Sequence, residues 1–199
     1  MATKRTVRIV VWGMAALAAA ILGLALWGQN LGPIGASLAD FGAPFKLASS
    51  KGGELDSATL KGKPYGIFFG FTHCPEVCPT TLSDMSVAMN ELGDAAKDFR
   101  LVFITVDPEK DTAPILANYL ASFDPRIEGL APTLDQLPSV ARAFHVYYKK
   151  VPTSDGDYTM DHTAVLFLFD KQGKLASTIS YDEDQATRLV KLKKLLAAG

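Results

Sequence analysis

"YGIFFGFTHCPEVCPTTL", residues 65–82, carries a continuous apolar and aromatic run straight into the only two cysteines of the 199-residue chain. From Tyr65 to Phe71 there is no alternation with polar residues, which predicts a strand buried on both faces. Downstream, Leu82, Met85, Met89 and Leu92 recur at helical spacing, so a helix is expected from Pro75 to about Ala96. Cys74 then sits at the start of that helix and Cys78 one turn along the same side. Pro75 suits a first helical turn, where its missing N–H costs nothing. Two sulfurs placed this way can face one point, and a helix N-terminus favours the thiolate form.

Working outward, the chain alternates strand-like and helix-like segments. "PFKLAS" (44–49) and "KGGEL" (51–55) read as a short β-hairpin before the opening strand. "RLVFITVD" (100–107) is a second buried strand and "TAPILANYLASF" (112–123) a second helix. "LDQLPSVARAFHVYY" (134–148) gives a third helix that runs into strand-like residues. "HTAVLFLFD" (162–170) and "KLASTIS" (174–180) are strands joined by a Lys171-Gln172-Gly173 turn. The closing segment "DEDQATRLVKLKKLLAA" is an amphipathic helix, acidic at its start and basic at its end, as the helix dipole favours. This order predicts a thioredoxin-like α/β fold, a central mixed β-sheet flanked by helices. The elements before Tyr65 and around residues 124–160 are expected to be additions to its minimal core.

The other end of the chain has a different character. "IVVWGMAALAAAILGLALWG" (9–28) holds no charge, and at about 1.5 Å per residue a helix of that length spans a hydrocarbon core. Lys4, Arg5 and Arg8 precede it, and no charge follows until Asp40. The expected organisation is a cytoplasmic leader (1–8), one transmembrane anchor (9–28), a Gly-rich linker (29–42) and the folded domain (43–199). The positive-inside rule places the leader in the cytoplasm and the domain outside. The reading is a single-pass bacterial inner-membrane protein with a periplasmic domain; a cleaved signal peptide ending near Ala39 is the alternative. Of the 20 basic residues three precede the span, leaving 17 against 21 acidic ones in the exported part. That balance offers no basic face and excludes a nucleic-acid partner.

The cysteine pair admits three local readings. A structural disulfide closing so short a loop would contribute only about 2 kcal/mol through unfolded-state entropy. A redox dithiol fits the expected frame, although thioredoxin-type motifs place two residues between the cysteines and this chain places three. A soft-metal site needs a further donor, because thiolates and imidazole together select Cu(I). Of the three histidines, His73 adjoins Cys74 and is expected to point away from it, and His145 lies among apolar residues and reads as packing. His162 is expected to open a core strand after the polar loop "TSDGDYTMD", facing the cysteine helix. Asp107 should lie at the same sheet edge, as a carboxylate orienting a ligand, a partner contact or a turn cap. Asp161 could orient His162 or be a solvated loop acid. Met160 could serve as a soft extra donor or be an ordinary loop or packing methionine, while Met85 and Met89 are read as packing.

Together "GFTHCPEVCPTTL", "ITVDPEKDT" and "DYTMDHTAVLFLFD" resemble the SCO/SenC family of membrane-tethered copper-binding proteins. The resemblance runs from about Pro44 to Ala197 and also covers the single N-terminal span. It implies binding of copper, as Cu(I) and Cu(II), on the outer membrane face or in the mitochondrial intermembrane space. It implies Cys74, Cys78 and His162 as the ligands, and the CuA-bearing subunit of cytochrome c oxidase as the partner whose assembly is supported, with another copper chaperone as a candidate donor. The alternative function is a thiol–disulfide reductase that uses Cys74 and Cys78 to keep the cysteines of that subunit reduced.

Overall fold

The computed structural model describes residues 41–197, together with Trp12 and Met14. Both of those are helical and exposed. The rest of the expected anchor, and the leader and most of the linker, lie outside the described residues. Among the described residues no helix is long and apolar enough to cross a membrane.

The domain is built on a seven-stranded mixed sheet. In chain order its strands are β1 (Lys46–Ser49), β2 (Glu54–Asp56), β3 (Tyr65–Gly70), β4 (Arg100–Thr105), β5 (Ile127–Ala131), β8 (Val165–Phe169) and β9 (Leu175–Ser180). Their spatial order is β2-β1-β5-β4-β3-β8-β9. Between β5 and β8 the chain forms a separate two-stranded antiparallel ribbon, β6 (Tyr148–Pro152) with β7 (Tyr158–His162). The helices are α1 (Val77–Leu92), α2 (Ala113–Leu120), α3 (Leu137–Ala143) and α4 (Gln185–Ala197).

The aromatic run at 65–70 becomes the central strand, with every residue buried. It pairs in parallel with β4, from Tyr65 opposite Arg100 to Gly70 opposite Thr105, and antiparallel with β8. Parallel neighbours require crossover connections, which α1 and α2 supply. Both cross on one face: Phe103 lies between the Gly70–Cys78 contact under α1 and the Tyr119 ring of α2. The opposite face packs around Phe144, whose ring lies 5.4 Å from Phe69 and 6.0 Å from Phe169. Adjacent residues Phe68 and Phe69 therefore serve opposite layers, which is why this strand shows no alternation. Phe41 and Gly42, at the end of the expected linker, join this second layer. Phe41 packs 5.1 Å from Phe167, and the Gly42 amide donates to the Ala143 carbonyl at 2.9 Å.

Several boundaries differ from the sequence expectation. The first helix begins at Val77, not Pro75, and gives way at Leu92 to a 3-10 turn over Gly93–Ala96. Gly93, at φ 51°, takes the left-handed backbone that ends the helix. Residues 127–131, expected to be an addition outside the core, form β5 between β4 and β1. Glu128 breaks the apolar signal of this strand, yet it is buried, accepting from Arg100 at 2.6 Å and from the Ser49 hydroxyl at 2.7 Å. His162 closes β7 and does not open the core strand, which starts at Val165. The chain turns between the two because Thr163 pairs with Tyr147, its amide donating to the Tyr147 carbonyl and its hydroxyl accepting from the Tyr147 amide, each at 3.0 Å. His145 is exposed at φ 53°, outside the core, with its ring 5.7 Å from that of Phe41.

Candidate metal centre

Three donor atoms meet at the end of the sheet where β3 and β4 finish: the sulfurs of Cys74 and Cys78 and an imidazole nitrogen of His162, all within 4.8 Å of one another. Each arrives on a different local structure. Cys74 sits in the loop after β3, where its amide donates to the Phe71 carbonyl at 3.3 Å. Cys78 lies in the first turn of α1, fully buried, and its amide donates to the Cys74 sulfur at 3.4 Å. His162 ends the ribbon, with Nε2 3.7 Å from the Cys78 sulfur.

Burial of Cys78 depends on Gly70. A Cβ at residue 70 would lie 2.7 Å from the Cys78 sulfur and 2.6 Å from the Phe103 ring, far inside van der Waals contact. The strand can carry this sulfur on its surface only because the residue beneath has no side chain.

The two thiols have opposite acidities. Cys74 is held down at about 4, chiefly by a hydrogen bond from the Cys78 thiol, with the Cys78 and Glu76 amides adding to it against the cost of burial. Cys78 is pushed far up, first by the same bond to Cys74 and then by burial. The pair therefore shares one proton, with the charge on the half-exposed Cys74. The helix start is expected to acidify both cysteines, but α1 begins three residues after Cys74, whose acidity has the neighbouring thiol as its leading cause, and Cys78 shifts the opposite way.

The His162 tautomer follows from its other nitrogen. Nδ1 lies 3.1 Å from the Thr163 carbonyl, which can only accept, so Nδ1 carries the proton and Nε2 keeps its lone pair facing the sulfurs. The backbone of the next residue thus does the orienting that was one of the two readings of Asp161. Asp161 itself is exposed, on β7 opposite Lys149. Phe71 closes one side, its ring edge-on to the imidazole at 5.7 Å.

The donor set fits a soft three-coordinate ion. With metal–sulfur and metal–nitrogen bonds of about 2.3 and 2.0 Å, a planar site needs donor–donor edges of about 4 Å. The 3.7 Å separation of Cys78 and His162 already matches that requirement. A structural zinc site takes four protein ligands, and only these three gather among the described residues.

The other sequence candidates stand around this centre. His73 is exposed, its Nδ1 3.0 Å from the Thr72 hydroxyl. Met160 is buried beside Val106, Pro108 and Leu137, and Met85 and Met89 are core residues. Asp107 is buried and receives the Tyr158 hydroxyl at 2.9 Å; it contacts the ribbon that bears His162, not the donors themselves. Sequence reasoning missed Asp111. This carboxylate is fully buried and accepts from the Thr72 amide at 2.9 Å, from the Thr72 hydroxyl, and from the Thr105 hydroxyl at 2.6 Å. It ties the cysteine loop to the end of β4. Its only sequence signal was a further aspartate four residues after Asp107 in "VDPEKDT".

Comparison with known proteins agrees with this geometry. The SCO1/SenC family pattern matches residues 35–197. The SCO1 homologue 1 of Arabidopsis thaliana, a mitochondrial protein, is 38% identical over 134 residues, covering 67% of this chain and 40% of that protein. The mitochondrial SCO1 homologue of Homo sapiens is 38% identical over 136 residues, 67% of this chain and 45% of its own length. The chain thus spans less than half the length of these two relatives. Among solved structures, Bradyrhizobium japonicum ScoI with copper bound is 44% identical, covers 78% of this chain and 99% of its own, and superposes with a TM-score of 0.72. The thioredoxin-like frame, the converging sulfurs and imidazole, and a family match across most of the sequence lead to one conclusion: the chain belongs to the SCO1/SenC family.

Proposed function

We propose that this protein is a copper metallochaperone that holds the ion between Cys74, Cys78 and His162 and passes it to the CuA-bearing subunit of cytochrome c oxidase. The observation that carries this reading is the meeting of two sulfurs and an unprotonated Nε2 within 4.8 Å. Thiolates with imidazole select Cu(I) over harder ions. The copper-bound relative at 44% identity supports the choice of metal. The oxidase subunit as recipient rests on the family resemblance. Residues 9–28 act as a single membrane anchor, with the folded domain on the periplasmic face. Cys74, half-exposed and already ionised, is the donor through which an incoming chaperone or an outgoing recipient exchanges the ion. Asp107 and Asp161 do not ligate.

The test is anaerobic Cu(I) titration of the full chain in detergent, thiols reduced, against a chelator of known affinity. One copper per chain is expected, with His162→Ala weakening its retention far more than His73→Ala or His145→Ala. Equal effects of the three substitutions would overturn the ligand assignment.

A second reading draws on the unequal thiols. An acidic, accessible Cys74 backed by a buried Cys78 is the arrangement of a dithiol reductant. The Cys74 thiolate would attack a substrate disulfide. Cys78 would then resolve the mixed disulfide, leaving the substrate as a dithiol and the pair oxidised. Stoichiometric reduction of an oxidised peptide carrying the recipient's cysteines tests it; no transfer would remove it.

A further inference from the structure

The turn after β4, Asp107-Pro108-Glu109-Lys110, grips the ribbon at every charged position. Asp107 accepts the Tyr158 hydroxyl at 2.9 Å. Glu109 pairs with Lys150 at 2.5 Å. Lys110 donates to the Asp157 carboxylate at 2.7 Å and to the Tyr158 carbonyl at 3.3 Å. Three of these contacts converge on one side chain, because Lys110 and Lys150 also place their ammonium groups 3.9 and 4.4 Å from the centre of the Tyr158 ring. The same turn reaches the cysteine loop through Asp111 and Thr72. It is stiffened internally by the Thr105 hydroxyl, which accepts from the Asp107 amide and donates to Asp111.

We propose that Tyr158 is the positioning residue for the third metal donor: by locking the ribbon to the turn after β4, it holds His162 at the distance the cysteine pair requires. The ribbon is not hydrogen-bonded into the main sheet, so its register with the cysteines is set by such side-chain contacts. Tyr158 lies on the same strand as His162, four residues before it. The clamp therefore acts on affinity through the fraction of molecules in which the third donor is in place; the apparent dissociation constant rises as that fraction falls. This inference rests on the three-donor reading above.

The test compares Tyr158→Phe, Tyr158→Ala, His162→Ala and the double variant Tyr158→Ala/His162→Ala in the full chain in detergent. Cu(I) retention is measured by chelator competition, and the Cu(II) form by nitrogen hyperfine coupling and sulfur-to-copper charge transfer. Tyr158→Phe, which keeps the ring and so guards against misfolding, is expected to weaken Cu(I) retention about ten-fold, as suits one lost hydrogen bond to a charged acceptor. Tyr158→Ala should weaken it further, up to the loss caused by His162→Ala. It should diminish the nitrogen coupling while the charge-transfer band remains. The double variant should match His162→Ala alone, since an absent donor cannot be mispositioned. Wild-type retention and nitrogen coupling in both Tyr158 variants would overturn the proposal, and so would losses that add in the double variant. If wild type retains no copper, or is indifferent to His162→Ala, the three-donor reading itself fails, and the positioning role falls with it.

Discussion

Gly70→Ala puts the whole site under one methyl group. The new carbon would stand 2.6 Å from a Phe103 ring atom and 2.7 Å from the Cys78 sulfur, where carbon contacts settle at about 3.5–4.0 Å. About 1 Å must be recovered on each side. Phe103 and Cys78 are both fully buried, so neither can swing into solvent. Overpacking of this kind costs about 1–3 kcal/mol. The sulfur moves with the first turn of α1, whereas the ring is wedged between Phe68 and Tyr119, so most of the displacement falls on Cys78. Denaturant unfolding of the metal-free protein measures the first effect and Cu(I) competition the second. A suitable control is Gly66→Ala on the same strand, where the added carbon meets Leu101 at 3.0 Å and Phe99 at 3.2 Å, away from the cysteines. Gly66→Ala is expected to destabilise less and leave copper retention unchanged, while Gly70→Ala should weaken retention at least ten-fold. Combining Gly70→Ala with Phe103→Leu should recover part of the stability. Unaltered copper retention in Gly70→Ala would refute the claim that this glycine seats the sulfur.

Further expectations concern charge. With its acidity near 4, Cys74 is ionised throughout the neutral range. Its alkylation by iodoacetamide in the metal-free protein should be almost flat from pH 6 to pH 8, where an ordinary thiol of pKa about 8.5 would gain nearly 100-fold; mass spectrometry should find Cys78 unmodified. Asp124 is held below its usual range chiefly by its hydrogen bonds from the Arg126 side chain. The unfolded chain takes up that proton first, so the stabilisation is complete above about pH 4 and is lost as pH falls through the lower folded value; Asp124→Asn should flatten that part of the acid-denaturation curve. Arg100→Ala strands the buried Glu128 with Ser49 as its remaining side-chain donor. A loss of about 2 kcal/mol is expected in urea unfolding, kept below the fully buried case because Arg100 is itself partly exposed. Equal stability of wild type and Arg100→Ala would mean that Glu128 is adequately solvated.

The parts of this molecule that could be read from sequence are those whose signal is local. Residues 65–71 announced a doubly buried strand because every side chain had to be apolar to serve both layers. The spacing of Cys74 and Cys78 announced converging sulfurs, although the loop before α1 brings them together and not a helical turn, with the Cys78 amide donating to the Cys74 sulfur. β5 escaped because its buried acid is paired with Arg100 and hydrogen-bonded by Ser49, partners 28 and 79 residues away. His162 meets the cysteines as the sequence suggests but closes β7 instead of opening the core strand; the turn after it is made by Thr163 with Tyr147, sixteen residues back. The roles of Asp107 and Asp111 were illegible for the same reason. Nothing in "VDPEKDT" states that its first acid receives a tyrosine hydroxyl from 51 residues downstream, or that its last braces a threonine 39 residues upstream.

The placement of His162 on a ribbon outside the main sheet has one more consequence. Cys78 and His162 are 84 residues apart, one rooted in the rigid core and the other on an appended limb. An ion bridging them would be a removable cross-link between the main sheet and the two-stranded ribbon. Loading should quiet the amide hydrogen exchange of residues 148–162 while leaving the slow-exchanging central strands as they were. Under the proposed delivery function, a recipient meeting this edge would encounter a cross-linked surface before transfer and an unlinked one after it, a difference by which loaded and emptied protein are told apart.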